Sequence, residues 1–256
     1  MRNRLLVLAS LAVMALPACS IPTLEVQAGY AQLSLDGDLG YSNGNTIAVE
    51  QDVESAFGLG DTQGSPYGRA QIDFGVPVLT ISAFDFEDEG RGRLGNGVSF
   101  GNIPGLTGGV PVQSQVEMMN AKMSYAFEIG LGPVSISPGL AIDYFDLQID
   151  VTDAFSIARE QVDVAGPLPL GFLRAEVDLG IVSAFAEAGY MAAEIDDVDG
   201  EILDIEAQLV VHPTALIELF VGYRFVNLQL DGLIEGDTID TDITVSGLIF
   251  GGGIRF

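Results

Sequence analysis

The chain has 256 residues, with 32 glycines, no tryptophan and a formal net charge of −26. The acidic excess argues against a nucleic-acid partner, since phosphates are bound by Lys and Arg, and against electrostatic docking on anionic lipid. A mean hydropathy of +0.37 in so charged a chain indicates that apolar and polar residues alternate along strands.

The first 20 residues have the pattern of a secretory signal. Two arginines precede an apolar run that is too short to remain as a membrane span. Two alternatives are open for the residue at which this signal ends. Leu16 to Cys19 resembles a lipobox, which predicts lipidation of Cys19, whereas Ala18 to Ser20 suits ordinary cleavage after Ser20. Cys19 is the only cysteine, so a disulfide within the chain is excluded.

Residues 21–256 are predicted to form one all-β domain. Beyond the signal, no apolar run approaches the roughly 18–20 residues that a membrane helix requires, so a chain that meets a bilayer does so as a barrel. Period-two alternation and turn residues predict ten strands: 24–35, 66–75, 78–88, 115–130, 134–150, 170–179, 182–195, 202–211, 215–230 and 242–256.

The connections between these strands alternate in predicted length. Those after the second, fourth, sixth and eighth strands are tight turns, whereas three of the others span 36–65, 89–114 and 151–169 and are rich in Gly, Asp, Asn, Ser and Pro. Short turns at one end and long loops at the other are typical of a closed, up-and-down, antiparallel transmembrane β-barrel.

Each predicted strand has one apolar and one polar face. In 202–211, for example, Leu203 and Ile205 lie opposite Asp204 and Glu206. In a soluble barrel the apolar face would fill the core, whereas in a membrane barrel it meets lipid and the charged face lines the lumen. The smooth apolar faces favour the second alternative. The first strand and residues 145–151 shift phase partway along, which indicates either bulges or strand ends that project past the bilayer.

The last stretch, 242–256, has large apolar residues on one face and mostly small ones on the other, and it ends in Phe256. Together with LEVQAGYAQLSL, TIAVEQDVESAFGL and GPLPLG, the ending GLIFGGGIRF resembles a broad group of bacterial outer-membrane β-barrel proteins of poorly defined function. The resemblance implies an outer-membrane location and an assembly signal at Phe256 that the barrel-assembly machinery reads. It also implies outer-membrane lipid and lipopolysaccharide as surroundings, and it leaves the oligomeric state unknown.

The charged residues predicted to face the lumen include five cations and a larger number of carboxylates: Arg69, Lys122, Arg174, Arg224 and Arg255, with Glu25, Asp73, Glu128, Asp143, Glu176, Asp178, Glu187, Asp204, Glu206 and Glu218. Ten strands at a tilt of ~40° give a radius of roughly 10 Å, most of which inward side chains would fill. We therefore expect a plugged or very narrow lumen whose buried charges are paired.

Three functions remain open at this stage. The first is a structural barrel or a narrow channel for small solutes or ions, and the second is a surface adhesion or ligand-binding barrel that acts through acidic outer loops. The third, an outer-membrane enzyme, lacks sequence support, because the only histidine, His212, lies in a predicted turn before Pro213. The sequence predicts no catalytic residue, no metal site and no cofactor.

Overall fold

The computed structural model describes residues 22–44, 47–155, 158–195, 198–234 and 236–256. The signal segment and Cys19 lie outside the described residues. Twelve strands follow one another along the chain: β1 Thr23–Ser42, β2 Gln51–Asp52, β3 Gln63–Asp73, β4 Pro77–Arg93, β5 Pro111–Phe127, β6 Ile129–Leu131, β7 Val134–Asp153, β8 Arg159–Asp178, β9 Val182–Ile195, β10 Val198–Val211, β11 Ile217–Ile234 and β12 Asp237–Arg255. Among the described residues, no helix has the length and hydropathy needed to cross a membrane.

Ten of these strands form a closed antiparallel wall, and β2 and β6 are short additions to it. The closure is made by β12, which pairs with β1 from Glu25↔Arg255 to Ser42↔Thr238. Following paired residues once around the wall from Leu24 leads back to Asp36, a shear of 12 residues. For ten strands this shear gives a tilt of ~40° and a radius of ~10 Å. The predicted fold class, a closed ten-stranded up-and-down barrel, is confirmed.

All ten predicted strands are present, but most extend further at the end where the longer connections lie. We call this the loop end, and the other, with connections 74–76, 128–133, 179–181 and 212–216, the turn end. The prediction of a long loop over 151–169 was wrong, because β7 continues to Asp153 and β8 begins at Arg159. Glycine and proline in this stretch gave a loop signal, although prolines are tolerated where one strand edge is unpaired.

The two faces of the wall exchange polarity partway along the strands. On β7, Leu140, Ile142 and Tyr144 point outward and are exposed, whereas the buried Asp143 points inward. Beyond Tyr144 the pattern reverses, so that Phe145 and Leu147 are buried inside. The turn half of the barrel therefore has an apolar exterior and a charged interior, and the loop half has the opposite arrangement.

No bulge causes this reversal. The β5–β7 ladder is continuous from Val112↔Asp153 to Ala126↔Gly139, and β1 pairs with β12 without interruption. The phase shift expected at residues 145–151 is thus a change in which face is apolar, at constant alternation. Of the two explanations that the sequence left open, the bulge is wrong.

Two long connections, which contain residues 47–62 and 94–110, fold onto the interior of the loop half. A π-helical turn, Val53–Phe57, begins after Asp52, whose carboxylate accepts a hydrogen bond from the Ser55 N–H at 2.7 Å. The ring of Phe57 packs edge-on against Phe100 at 5.2 Å, and both are fully buried. The segment around Asn96 to Pro111 therefore folds inward and closes the barrel together with the apolar residues of the wall.

Candidate functional site

The interior of the turn half contains a buried charged cluster of three cations and three carboxylates. Its members are Arg69, Lys122, Arg224, Glu187, Asp204 and Glu206. Each is at most 5% exposed. Arg69 bridges Glu187 at 2.8 Å and Glu206 at 2.9 Å, and Lys122 bridges Asp204 at 2.8 Å and Glu187 at 3.1 Å. Arg224 completes the ring with Asp204 and Glu206. The cluster is neutral as a whole, as burial of charge requires.

Strand register places these side chains together. Glu187 of β9 lies directly opposite Glu206 of β10, and Glu206 lies opposite Arg224 of β11. The two adjacent glutamates would repel each other, but Arg69 from β3, across the lumen, donates to both. The cluster therefore joins strands from opposite sides of the wall.

Aromatic rings fill the space around the cluster. The guanidinium groups of Arg69 and Arg174 lie 4.5 and 4.2 Å from the ring centre of Phe185, and the Tyr67 hydroxyl donates to Glu206 at 2.7 Å. On β12 the inner face is small, as the sequence indicates. A Cβ on Gly251 would lie 2.8 Å from the Phe220 ring, so glycine makes room for that ring inside the lumen.

Asp143 lies at the edge of the cluster and has no salt bridge among the described residues. Its Oδ1 accepts a hydrogen bond from Asn120 at 2.7 Å, whereas its buried Oδ2 has no partner. The amide oxygen of Asn120 in turn accepts from Arg224 at 2.9 Å. Asp143 therefore extends the polar network up to the level where the interior becomes apolar.

The remaining predicted lumen residues lie near the turn end. Arg174 bridges Glu176 at 2.7 Å, and Arg255 bridges Glu25 at 3.0 Å. The buried Glu218 accepts from Gln27 at 3.1 Å. Asp73 and Asp178 instead accept hydrogen bonds from the backbone of the adjacent turns at Gly75 and Gly180, and Glu128 is half-buried at the same rim. These last three residues are outside the charged cluster.

The structure also brings together a serine and the only histidine, which sequence reasoning did not pair. Ser183 Oγ lies 3.1 Å from His212 Nε2 at the turn end. Val182 and Val211 pair across β9 and β10, so their neighbours meet, and only the register reveals this. Among the described residues no carboxylate hydrogen-bonds the ring of His212, so the third member that orients a Ser–His pair is not present there.

Acidic residues cover one side of the exterior of the loop half. We call this surface the acidic girdle, and it comprises Asp36, Asp38, Glu50, Glu194, Asp199, Glu201, Asp231, Asp240 and Asp242. Several acids lie directly opposite one another in the sheet, as in Asp38↔Asp242, Asp199↔Asp231 and Asp231↔Asp240. Among the described residues, no Arg or Lys forms a salt bridge with them. The sequence placed most of these acids in loops, but apart from Glu50 they lie on strands.

The electrostatics of the girdle are unfavourable without counter-ions. Like charges directly opposite each other in a sheet are destabilising. Partial burial and the neighbouring Asp240 carboxylate raise the pKa of Glu50. A groove of about 540 Å³ runs between these acids on β9, β10, β11 and β12. In the described part of the chain, no group of three or more Asp, Glu, His or Cys side chains has the geometry of a discrete metal site.

Comparisons with solved structures place this architecture among known proteins. The outer-membrane protease OmpT of Escherichia coli matches with a TM-score of 0.51 at 7% identity, covering 91% of this chain and 96% of that one. The attachment invasion locus protein Ail of Yersinia pestis matches with a TM-score of 0.37 at 9% identity, over 92% and 99% of the two chains. The chain has the fold of an outer-membrane β-barrel protein. At these identities the OmpT match shows the fold alone.

Two further comparisons gave no match. No protein-family model matches the sequence, and no curated protein matches it. In a barrel of this fold that spans a membrane, the apolar exterior of the turn half is the surface that meets lipid. On β7 this belt runs from Ile136 to Tyr144. At about 2.5 Å of height per residue, this is roughly 20 Å, close to the apolar height of other such barrels.

Proposed function

We propose that this protein is a closed, structural outer-membrane barrel whose working surface is the acidic girdle. In this proposal the turn end faces the periplasm and the loop half stands outside the membrane. The girdle then lies immediately above the apolar belt, at the level of lipopolysaccharide head groups. Divalent cations bound diffusely along the girdle would bridge its carboxylates to the anionic lipid.

The observation that supports a closed barrel best is the packing of the loop half. Its inward residues are large, apolar and fully buried, among them Phe57, Phe86, Phe100 and Val151. They lie above the charged cluster, whose net charge is zero, so a path through the lumen would have to cross both regions. An ion that crossed this barrel would lose its hydration in an apolar region, which is costly.

Planar-bilayer recording tests the closed state. We expect no conductance steps from the purified protein, because the apolar residues and the charged cluster both fill the lumen. Regular steps whose ion selectivity changed in Arg224→Leu would support the narrow-channel alternative and contradict the closed barrel.

The girdle is tested by its response to magnesium. The thermal midpoint of unfolding should rise when magnesium is added to the purified barrel, because the cation screens opposed carboxylates. The double variant Asp38→Asn, Asp242→Asn should be more stable than the native protein without magnesium and gain less when it is added. The matched control is Asp163→Asn, an exposed outward acid on β8 that lies opposite Gln148, which should respond like the native protein. An equal response in all three proteins would contradict the role of the girdle.

A further inference from the structure

The wall of the barrel is incomplete between β8 and β9. These strands pair only from Asp178↔Ser183 to Gly171↔Tyr190. Beyond that point, β8 continues to pair with β7 as far as Arg159, and β9 continues to pair with β10 as far as Ile195. Among the described residues, no ladder pair joins 159–170 to 191–195. The two strands therefore diverge toward the loop end, and we call the space between them the wall gap.

Two prolines account for the position of the gap. The N–H of Leu179 donates to Val182 on the β9 side, whereas the N–H of Asp178 points to the other neighbour of β8. Backbone groups on a strand alternate in direction, so residues 167 and 169 would also direct their N–H toward β9. Both are proline, which has no N–H to donate. Pairing stops at Gly171, two residues away from Pro169.

The gap leads to an apolar cavity in the interior of the loop half. This cavity measures about 80 Å³. Its walls are formed mainly by Leu168, Met191, Ala193, Ile202, Leu228 and Leu230. Leu168, Met191 and Leu230 remain only partly buried, although they pack against the core. The core is thus incompletely closed where the gap reaches it.

The gap begins within the lipid-facing belt. Tyr190, at its lower end, points outward and is 48% exposed, and Pro169 lies beside it on the same exterior. The next outward acids are Glu194 on β9 and Glu201 on β10, which belong to the acidic girdle. The gap therefore crosses the upper edge of the belt, where lipid chains meet head groups.

We propose that the wall gap admits one hydrocarbon chain of an outer-leaflet lipid, whose terminal carbons occupy the apolar cavity while the rest of the chain lies in the gap and the head group stays at the rim. Leu168 on β8 and Met191 on β9 both line the cavity, so it lies directly behind the gap, which a lipid reaches by lateral diffusion. Apolar chains gain free energy from such a lining in proportion to the area buried. An added peptide strand fits less well, because Pro167 and Pro169 remove donors that it would pair with.

Photolabelling from within the bilayer tests this proposal. The mature protein is reconstituted in phosphatidylcholine that has a diazirine on one acyl chain, illuminated and mapped by mass spectrometry. Leu228 and Leu230 face the interior on β11, two strands away from the gap, so a chain reaches them only by entering. We expect label on these residues and on Met191, in addition to outward residues such as Tyr190. Label confined to outward residues would overturn the proposal.

Two alanines of β9 provide matched variants. Ala193 lines the cavity, whereas Ala186 lies on the exterior of the part of β9 that pairs with β8. Ala193→Trp should fill the cavity and reduce the interior label to background, whereas Ala186→Trp should leave it unchanged. If Ala193→Trp does not fold, the double variant Pro167→Val, Pro169→Val restores two donors facing β9 and should also reduce the interior label. Interior label that persisted in the folded blocking variants would overturn entry through the gap.

Discussion

The turn half and the loop half of this barrel are built by the same strands with the same alternation, yet the polarity of their inner and outer faces is opposite. In the turn half the exterior is apolar and the interior has a neutral set of buried ion pairs. In the loop half the exterior is acidic and the interior is a packed apolar core. The reversal occurs at the same level on both faces, as at Tyr144 and Phe145 on β7. A wall that changes both faces at one level indicates where the membrane ends.

The two interiors also differ in what holds them together. Buried ion pairs add little net stability compared with apolar residues of similar size, but removing one partner is strongly destabilising. An apolar core loses stability in proportion to the volume removed. The turn half should therefore be sensitive to loss of a charge, and the loop half to loss of volume.

The largest effect is expected from an unpaired charge in the turn half. Arg224→Leu leaves Asp204 and Glu206 without one of their partners and should lower the free energy of unfolding by about 3–5 kcal/mol. Urea unfolding of the barrel in micelles measures this loss. The exposed Arg159, which bridges Asp150, is the control, and Arg159→Leu should cost less than about 1 kcal/mol. Equal losses would show that burial of the cluster has no energetic consequence.

A cavity in the loop half should have the next largest effect. Leu147 is 3% exposed, and Leu147→Ala should lower the free energy of unfolding by about 2–5 kcal/mol. The neighbouring Gln148 points outward, so Gln148→Ala should change stability by about 0.5 kcal/mol or less. Similar small effects at both positions would contradict a packed core in this half.

A charge placed on the exterior should distinguish the halves by the solvent that each meets. Leu140, 72% exposed, lies near the middle of the belt, and Leu140→Arg should cost about 2–4 kcal/mol in a bilayer. Gln148→Arg, on the same face of β7 but beyond the belt, should be tolerated. Unfolding in lipid vesicles compares the two variants, and equal tolerance would place both positions in water.

The smallest effect is expected at Asp237, the residue at the start of β12 that accepts hydrogen bonds from the end of β1 and the connection after it. The Gly44 N–H and the Tyr41 hydroxyl, at 2.8 and 2.7 Å, lower the pKa of Asp237. Its stabilising contribution is present above the unfolded pKa of about 4 and is lost as the pH falls through the lower folded value. Limited proteolysis near Gly44 should accelerate below about pH 4. In Asp237→Asn the cleavage should be fast already at neutral pH and should respond less to acid.

The sequence predicted the number, order and facing of the strands, because alternation at period two is a local signal. It also assigned Arg69, Lys122 and Arg224 to the lumen face, but it did not predict which carboxylates they contact, because those partners lie on other strands. It did not predict that residues 151–169 are mostly strand, since glycine and proline there resemble a loop. The wall gap and the Ser183–His212 contact depend on which residues of β8, β9 and β10 face each other, and register is not encoded in any one strand.

Labelling of single cysteines along β7 tests the polarity reversal most directly. In a Cys19→Ser background reconstituted in vesicles, a water-soluble maleimide should react with cysteines at outward positions 146, 148 and 150. It should not react at outward positions 140 and 142, which face lipid, or at inward positions 145, 147 and 149, which face the core. Strong labelling at 145 and 147, with none at 146 and 148, would contradict the reversal and the closed barrel that depends on it.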